Sequence, residues 1–260
     1  MVSQRMWRAR CGLLLYQMLS VVGLRVMTWN LWNERVSSVS WEKRLEGVRA
    51  HIRTIDPEIL SVQECTERMR EDLMDMFPYA TEYQESDAKT KEGLVMFSVY
   101  PIESNSKLVE IPRQPGSDQN ERAFLRSKVS LPNGVIDIGT VHLSYEPSQG
   151  MAQWNWLMQN WRPTLMMGDL NVYKEDFPDW EERMTETGYL NLKEQATWST
   201  TAHSKPTNPA DQILVRFDSE WCVVSVRRIA SRIGNVHSSD HYAVVADLKK
   251  KNSSRCRDEG

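Results

Sequence analysis

Apolar and polar residues follow two different periods along this chain. Arg25–Asn30 reads as a first strand. Past Ser40 the period lengthens: Trp41, Leu45, Val48, Ile52 and Ile55 recur at spacings of four and three, which predicts an amphipathic helix. Asp56-Pro57 closes that helix, because a residue before proline is driven out of the α region by the ring. Ile59–Val62 then reads as a second strand, Thr66–Phe77 as a helix, and Leu94–Val99 as a strand bounded by Gly93 and Pro101. Phe124–Leu131 and Val135–Leu143 flank Pro132-Asn133-Gly134, and Asn-Gly between such runs is a hairpin signal. Ser148–Trp161 predicts a helix, with Met151, Trp154, Met158 and Trp161 on one stripe. Thr164–Met167 predicts a short buried strand running into Gly168-Asp169-Leu170-Asn171. A helix around Asp179–Thr187 and strands at Gln212–Val215, Trp221–Ile229 and Tyr242–Leu248 complete the pattern. Strands mixed with helices, hairpins among them and no linker or repeat imply one α/β sandwich.

Composition narrows the function classes. The 260 residues carry 32 Lys+Arg against 35 Asp+Glu, a formal charge of −3, with 40% hydrophobic and 26% charged residues. That balance excludes wholesale disorder and a collagen-like repeat. It also excludes a protein that holds nucleic acid mainly by bulk positive charge. Ten tryptophans and thirteen methionines stand out. Trp41, Trp154 and Trp161 lie on helical stripes and are assigned to the core. Trp32, Trp198 and Trp221 are less constrained, and Trp32, two positions past Asn30, is near enough to reach a substrate. The four cysteines, Cys11, Cys65, Cys222 and Cys256, are scattered without a Cys-x-x-Cys pair, which argues against a structural zinc site and reads as free thiols.

No acidic residue precedes Glu34, while Arg5, Arg8 and Arg10 precede the apolar run Gly12–Leu24. The run is short for a bilayer span, which needs about 20 apolar residues. The expected organisation is an N-terminal extension over 1–23, a catalytic domain over 24–248 and a polar tail over 249–260. The extension is read either as a segment that no receptor recognises or as a mitochondrial or secretory targeting peptide, so localisation stays open between cytoplasm, mitochondrion and export. No stable membrane span and a monomer are expected.

Polar groups gather where apolar strands end: Asn30, Glu64, His142, Asp169 with Asn171, Asp211, and Asp240 with His241. Singly, each has an ordinary explanation as a cap, a turn or a satisfied interior histidine. Together, at the ends of separate strands, they describe a site on a rigid scaffold. Carboxylates and amides without thiols are hard ligands suited to Mg²⁺ or Mn²⁺. Two histidines can supply charged donors to a developing phosphorane, and a carboxylate can orient one of them. A metal, a water-orienting Asp and His donors make a site for phosphoester hydrolysis. Gly-x-Ser-x-Gly, Walker A and dinucleotide glycine motifs are absent.

The same residues resemble the endonuclease/exonuclease/phosphatase superfamily, the DNase I-like fold. The resemblance rests on Leu24-Arg25-Val26-Met27-Thr28-Trp29-Asn30, Asp56-Pro57-Glu58-Ile59-Leu60-Ser61-Val62-Gln63-Glu64 and Val141-His142-Leu143. It continues through Met167-Gly168-Asp169-Leu170-Asn171, Ala210-Asp211-Gln212-Ile213-Leu214-Val215 and Ser239-Asp240-His241-Tyr242-Ala243-Val244-Val245. It implies a four-layer α/β sandwich, two packed mixed sheets flanked by helices. It further implies Glu64 as principal Mg²⁺ (or Mn²⁺) ligand, with Asn30 and Asp240 in the metal and phosphate network. Asp169, ahead of His241 as candidate base, would activate the water; Asn171 would bind phosphate or position the nucleophile. His142 and His241 would stabilise the transition state, and Asp211 would pair with His241. Glu92 looks like the carboxylate that pairs with the first histidine in DNase I-like members, or else is a solvated charge beside Lys89 and Lys91.

Two segments depart from the family pattern. Ser98-Val99-Tyr100-Pro101-Ile102 stands where Ser-Arg-x-Pro-Ile is common, and Pro209-Ala210 precedes Asp211 where a basic and an apolar residue are usual. The signatures of AP endonucleases and inositol phosphatases are missing. The resemblance therefore implies a metal-dependent phosphoester hydrolase, with a phosphodiesterase or nuclease as the leading subtype and nucleic acid as a possible partner. A phosphatase or phospholipase-type enzyme for a lipid, inositol or sugar phosphate is the alternative, and a catalytically inactive binding module is the alternative from another class.

Overall fold

The computed structural model describes residues 23–172, 176, 178–190, 210–230, 232–233 and 236–251. In chain order the described elements are β1 (Gly23–Asn30), α1 (Trp41–Ile55), β2 (Ile59–Cys65), α2 (Glu67–Leu73), β3 (Tyr79–Ala80), β4 (Glu85–Asp87), β5 (Glu92–Ser98) and β6 (Lys107–Ile111). They continue with β7 (Arg122–Leu131), β8 (Gly134–His142), α3 (Pro147–Asn160), β9 (Leu165–Asp169), α4 (Trp180–Glu186), β10 (Tyr189–Leu190) and β11 (Asp211–Arg216). β12 (Trp221–Ile229), β13 (Arg232–Ile233), β14 (Val236–His237) and β15 (Ala243–Lys250) follow. One sheet runs β12-β15-β1-β2-β5-β3, with β4 also paired to β5, and the other runs β10-β11-β9-β8-β7-β6. Each is mixed: β1–β2 and β8–β9 are parallel, and the remaining pairs are antiparallel.

Strand alternation sorts the apolar residues into three buried layers, and these make four layers of structure. Leu24, Val26, Ile59, Leu94 and Met96 of the first sheet meet Leu125, Ile136, Ile138, Leu165, Met167 and Ile213 of the second. The opposite face of the first sheet, through Met27, Trp29, Leu60, Val62 and Phe97, takes the stripes of α1 and α2. The outer face of the second, through Phe124, Val141, Met166 and Leu214, takes Trp154 and Leu157 of α3 and Trp180 and Met184 of α4. Each such side chain withdrawn from water contributes about 1.5–3 kcal/mol, so a layer is lost only collectively.

Several expectations are adjusted. The helix expected over Thr66–Phe77 ends at Leu73 and tightens into a 3-10 turn at Met74–Met76. Thr66 caps its start, accepting a hydrogen bond from Met69 N at 3.3 Å. The polar tail expected from Lys249 begins later, because β15 runs to Lys250 and pairs with β12 through both lysines. Cys65 is a free buried thiol, but Cys222 is disulfide-bonded, which corrects the reading of all cysteines as free. Trp41 and Trp154 are buried as expected, whereas Trp161 is only partly so. Trp221, left open by the sequence, is also core. Residues 1–22, Trp198, Pro209 and 252–260 lie outside the described residues.

Candidate functional site

The parity that packs the two sheets also builds the site. Thr28 and Asn30 continue the inward series Leu24, Val26; Ser61 and Gln63 continue Ile59; Thr140 and His142 continue Ile136, Ile138. Asp169 continues Leu165, Met167, while Glu92 and Asp211 begin the series that Leu94 and Ile213 carry on. Apolar residues thus fill one end of the inter-sheet layer and polar residues the other. Just below the site one hydrogen bond crosses the layer and two more within the first sheet support it. Ser61 Oγ donates to Thr140 Oγ1 at 2.9 Å, and Gln63 Nε2 donates to Thr28 Oγ1 at 3.1 Å and to Ser61 Oγ at 3.0 Å.

Glu64 breaks the alternation. By parity it would face α1, with Leu60 and Val62. The pairing of β2 with β5 slips between Val62 and Cys65, and Glu64 adopts φ 53°. The bulge turns Glu64 toward Asn30 and gives the helix-side position to Cys65. Bulges re-aim side chains in this way beside functional sites.

Asp169 is the hub. Gly168, at φ 148°, lies so close to β8 that a Cβ there would stand 2.0 Å from Val141 O; this close approach seats Asp169 beside its register partner His142. Asn30 Nδ2 donates to Asp169 Oδ2 at 3.0 Å and to Glu64 Oε1 at 2.9 Å. Asn171, itself left-handed at φ 48°, donates its N–H to Asp169 Oδ1 at 3.0 Å and its amide Nδ2 to Leu143 O at 3.0 Å. Asp169 Oδ2 stands 3.6 Å from His142 Nε2 and 3.9 Å from His241 Nδ1. Burial, then Asp211, pushes the Asp169 carboxyl up to about 7.

The two histidines differ. His241 Nδ1 stands 2.7 Å from Asp211 Oδ2. Burial opposes its charge, but Asp211 and Asp169 overcome this and hold the imidazolium well above its ordinary range. His142 Nε2 lies 2.9 Å from Arg122 Nη1, and its Nδ1 lies 3.9 Å from Glu92 Oε1. Burial, Arg122 and His241 all press it well below the ordinary range. The two imidazoles, which the sequence offers as possible charged donors, are pressed in opposite directions, with the Arg122 guanidinium beside the lowered one. Arg122 is clamped by Asp118 Oδ2, which accepts from Nε at 3.1 Å and from Nη2 at 2.8 Å.

Around Glu64 the contacts come from backbone and amide groups. Asn33 donates its N–H to Glu64 Oε2 at 2.9 Å and its Nδ2 to Glu92 Oε2 at 3.0 Å. Burial and Glu64 raise the Glu92 carboxyl to about 7. Burial, with Glu64 and Asp211 adding to it, likewise raises Asp240. Oxygen donors that repel one another, Glu92 buried and Glu64 and Asp240 half-buried, with no thiol among them, fit a hard divalent cation. Asp169, Asp211 and His241 also place three possible ligand atoms within 4.8 Å of one another. In that trio His241 and Asp211 already satisfy each other, so the chemistry of the donors favours Glu64 and Asp240.

The structure thus brings together Asn30, Glu64, His142, Asp169, Asn171, Asp211, Asp240 and His241. Trp32 stands at their edge, half-buried and left-handed at φ 57°, with its N–H bonded to Asn30 Oδ1 at 3.0 Å. Glu92 is buried beside His142, not a solvated charge. Sequence reasoning missed Asn33, Arg122 and Arg44. Arg44 is fully buried and donates to Leu31 O, Trp32 O, Val39 O and Ser238 O, tying the loop after β1 to the loop before His241. Its guanidinium carbon lies 5.3 Å from the centroids of both Trp32 and Trp41, and burial lowers its pKa to about 10. A signal existed: Arg44 sits in phase with Trp41, Val48 and Ile52, where a charge must be partnered.

Comparison with known proteins agrees with this fold. The sequence profile described as "Endonuclease/Exonuclease/phosphatase family" matches residues 27–241. No curated protein matches the sequence. An endonuclease/exonuclease/phosphatase from Beutenbergia cavernae is similar in structure, at 18% identity and TM-score 0.67, covering 88% of this chain and 72% of its own. D. rerio TDP2 complexed with single strand DNA product is similar at 14% identity and TM-score 0.68, covering 88% and 99%. The human nocturnin catalytic domain with bound sulfate anion is similar at 16% identity and TM-score 0.66, covering 88% and 93%.

Proposed function

The chain belongs to the endonuclease/exonuclease/phosphatase family, and from that premise we propose that it is a Mg²⁺- or Mn²⁺-dependent phosphodiesterase, of the nuclease type. Members of this family are generally hydrolases of phosphoesters and typically depend on a divalent metal. The observation that carries the reading is the position of Asp169: one carboxylate oxygen faces the Asn30 amide and both imidazoles, with Glu64 on the far side of the amide.

In this reading Asp169 orients the attacking water and takes its proton. A carboxyl raised to about 7 is matched to that task near neutral pH. His241, held as a cation by Asp211, donates to a phosphoryl oxygen as charge grows on it. His142 meets the same phosphoryl group as a neutral imidazole, with the Arg122 charge beside it. Asn171 fixes Asp169 and the backbone after His142; Asn30 spaces Asp169 from Glu64. Glu64 and Asp240 are the residues that would hold the ion, with Asn30 adjoining. A bound Mg²⁺ or Mn²⁺ supplies Lewis acidity toward the phosphoryl oxygens. Trp32 contributes at the substrate side. The DNA product bound to the D. rerio protein supports a nucleic-acid substrate.

The test compares wild type and Asp169→Ala on single- and double-stranded DNA, abasic DNA, RNA, sphingomyelin, inositol phosphates and an aryl phosphodiester, with and without Mg²⁺. Cleavage by wild type alone, abolished by chelation and restored by Mg²⁺, is expected. No cleavage of any substrate, or equal cleavage by the variant, would overturn the reading.

A further inference from the structure

Two aromatic residues flank the site, one from each sheet, and they are used differently. Trp32 follows β1; its carbonyl is taken by Arg44, and its ring lies against the same guanidinium. Tyr145 follows β8, three positions past His142, and is 51% exposed. The segment that carries Tyr145 is pinned on both sides. Leu143 N donates to Asp169 O at 2.9 Å, and Leu143 O accepts from Asn171. Ser144, fully buried, donates its N–H to Gln153 Oε1 at 2.8 Å. Glu146 N donates to Ser144 Oγ at 3.1 Å, and the Glu146 carboxylate caps α3 by accepting from Gln149 N at 2.8 Å. α3 also presses on the loop so closely that a Cβ at Gly150 would stand 2.8 Å from Ser144 O.

The exposed ring is therefore held by a backbone fixed to the catalytic hub itself. Its neighbour inside the site is Arg122, whose guanidinium carbon lies 6.0 Å from the ring centroid while Nη1 reaches His142. A phosphate against His142 would bring the group attached to it toward Tyr145. A preorganised aromatic surface loses little freedom on binding, and a planar ring is what it stacks with most favourably.

Resting on the hydrolase reading, we infer that Tyr145 is a stacking platform beside the phosphoryl position. It selects phosphoesters that carry a planar ring next to the scissile phosphate, the nucleotide class, over those with aliphatic groups. Tyr145 is here a specificity-determining residue and takes no part in proton transfer.

Calorimetric titration of the full chain with thymidine monophosphate and with glycerol phosphate tests this directly, since neither ligand needs to be turned over. The nucleotide should bind about tenfold more tightly, a factor within the range of one base–aromatic stack. Tyr145→Leu and Tyr145→Ala should bring the ratio of the two affinities close to one, and Tyr145→Phe should preserve it. The ratio of KM values for dithymidine monophosphate and glycerophosphoglycerol should move in parallel. Equal affinities in wild type, no binding of either ligand, or a ratio unchanged in Tyr145→Leu would overturn the inference. A binding preference without any turnover would overturn the hydrolase reading, whereas turnover without a preference would overturn this inference alone.

Discussion

The site has two histidine corners built from the same parts and poised in opposite states. At one, His241 meets a carboxylate, Asp211, at 2.7 Å and is held protonated. At the other, His142 meets a guanidinium, Arg122, at 2.9 Å and is held neutral. Both are buried, and burial alone would make both neutral. The partner decides. Asp169 lies between them, 3.6 Å from one imidazole and 3.9 Å from the other, so it faces an accepting ring on one side and a donating ring on the other. Groups pushed apart in this way divide acid and base roles without any difference in residue type.

The largest blow to this arrangement is to its shared centre. Asp169→Asn should lower kcat on any substrate that wild type cleaves by at least about 10³-fold, because it removes the proton acceptor and leaves both corners in place. Steady-state kinetics with Mg²⁺ check this, and retention of a tenth of the rate would place the base elsewhere.

Asp211→Asn should come next, at about 10²–10³-fold in kcat. Asp211 is the foremost cause of the raised His241 pKa, so its loss should also move the alkaline limb of the rate–pH profile to lower pH. An unmoved limb would show that His241 is not the protonated group.

Arg122→Gln should cost less, about tenfold in kcat/KM, since it removes a charge that acts beside the imidazole. It should also let His142 rise toward its ordinary range, because Arg122 is one of the groups that lowers it. NMR titration of the two imidazoles in the metal-free protein would read this as a selective upward move of His142.

The smallest effect is on stability, and the corners should give opposite slopes. A histidine depressed in the fold contributes stability above its unfolded pKa of about 6.5 that is lost as pH falls, so His142→Asn should flatten the acid side of the stability curve. A histidine raised in the fold contributes fully below about 6.5 and loses that contribution as pH climbs through the raised value, so the deficit of His241→Asn should shrink toward alkaline pH. Urea midpoints of the metal-free variants between about pH 5.5 and 8.5 check both. Slopes of the same sign would erase the distinction between the corners.

Much of this could be read from the chain, for a physical reason. Asn30, His142 and Asp169 each close an inward-facing apolar series and Asp211 opens one, so the alternation that predicts a strand also marks the polar residue at its end. Glu64 was legible as a polar strand-end residue, but its aim depends on a bulge that alternation cannot express. Arg44 was hidden because Leu45, one position on, also completes a helical stripe, yet Leu45 is only partly buried while Arg44 is fully so. Asn33 meets Glu64 and Glu92 only when distant segments fold onto it, and Arg122, clamped locally by Asp118, meets His142 only across the β7–β8 pair. The charge state of His142 was illegible for the same reason, since Arg122 lies twenty positions away. Two-residue strands such as Tyr79–Ala80 are too short to show any period.

The hydrogen-bonded bridge of Ser61, Gln63, Thr28 and Thr140 has a consequence for evolution and design. Apolar side chains grip two sheets with little regard to how far one is slid along the other, whereas hydroxyl and amide partners meet only at one setting. The bridge works like the detent of a lens mount: it clicks the half of the site carried by β1 and β2 into alignment with the half carried by β8 and β9. Substitutions in the greasy end of the layer can therefore be absorbed by repacking while optical alignment of the reactive end is kept. Loss of the detent would instead leave a protein that is folded, still buried, and out of focus.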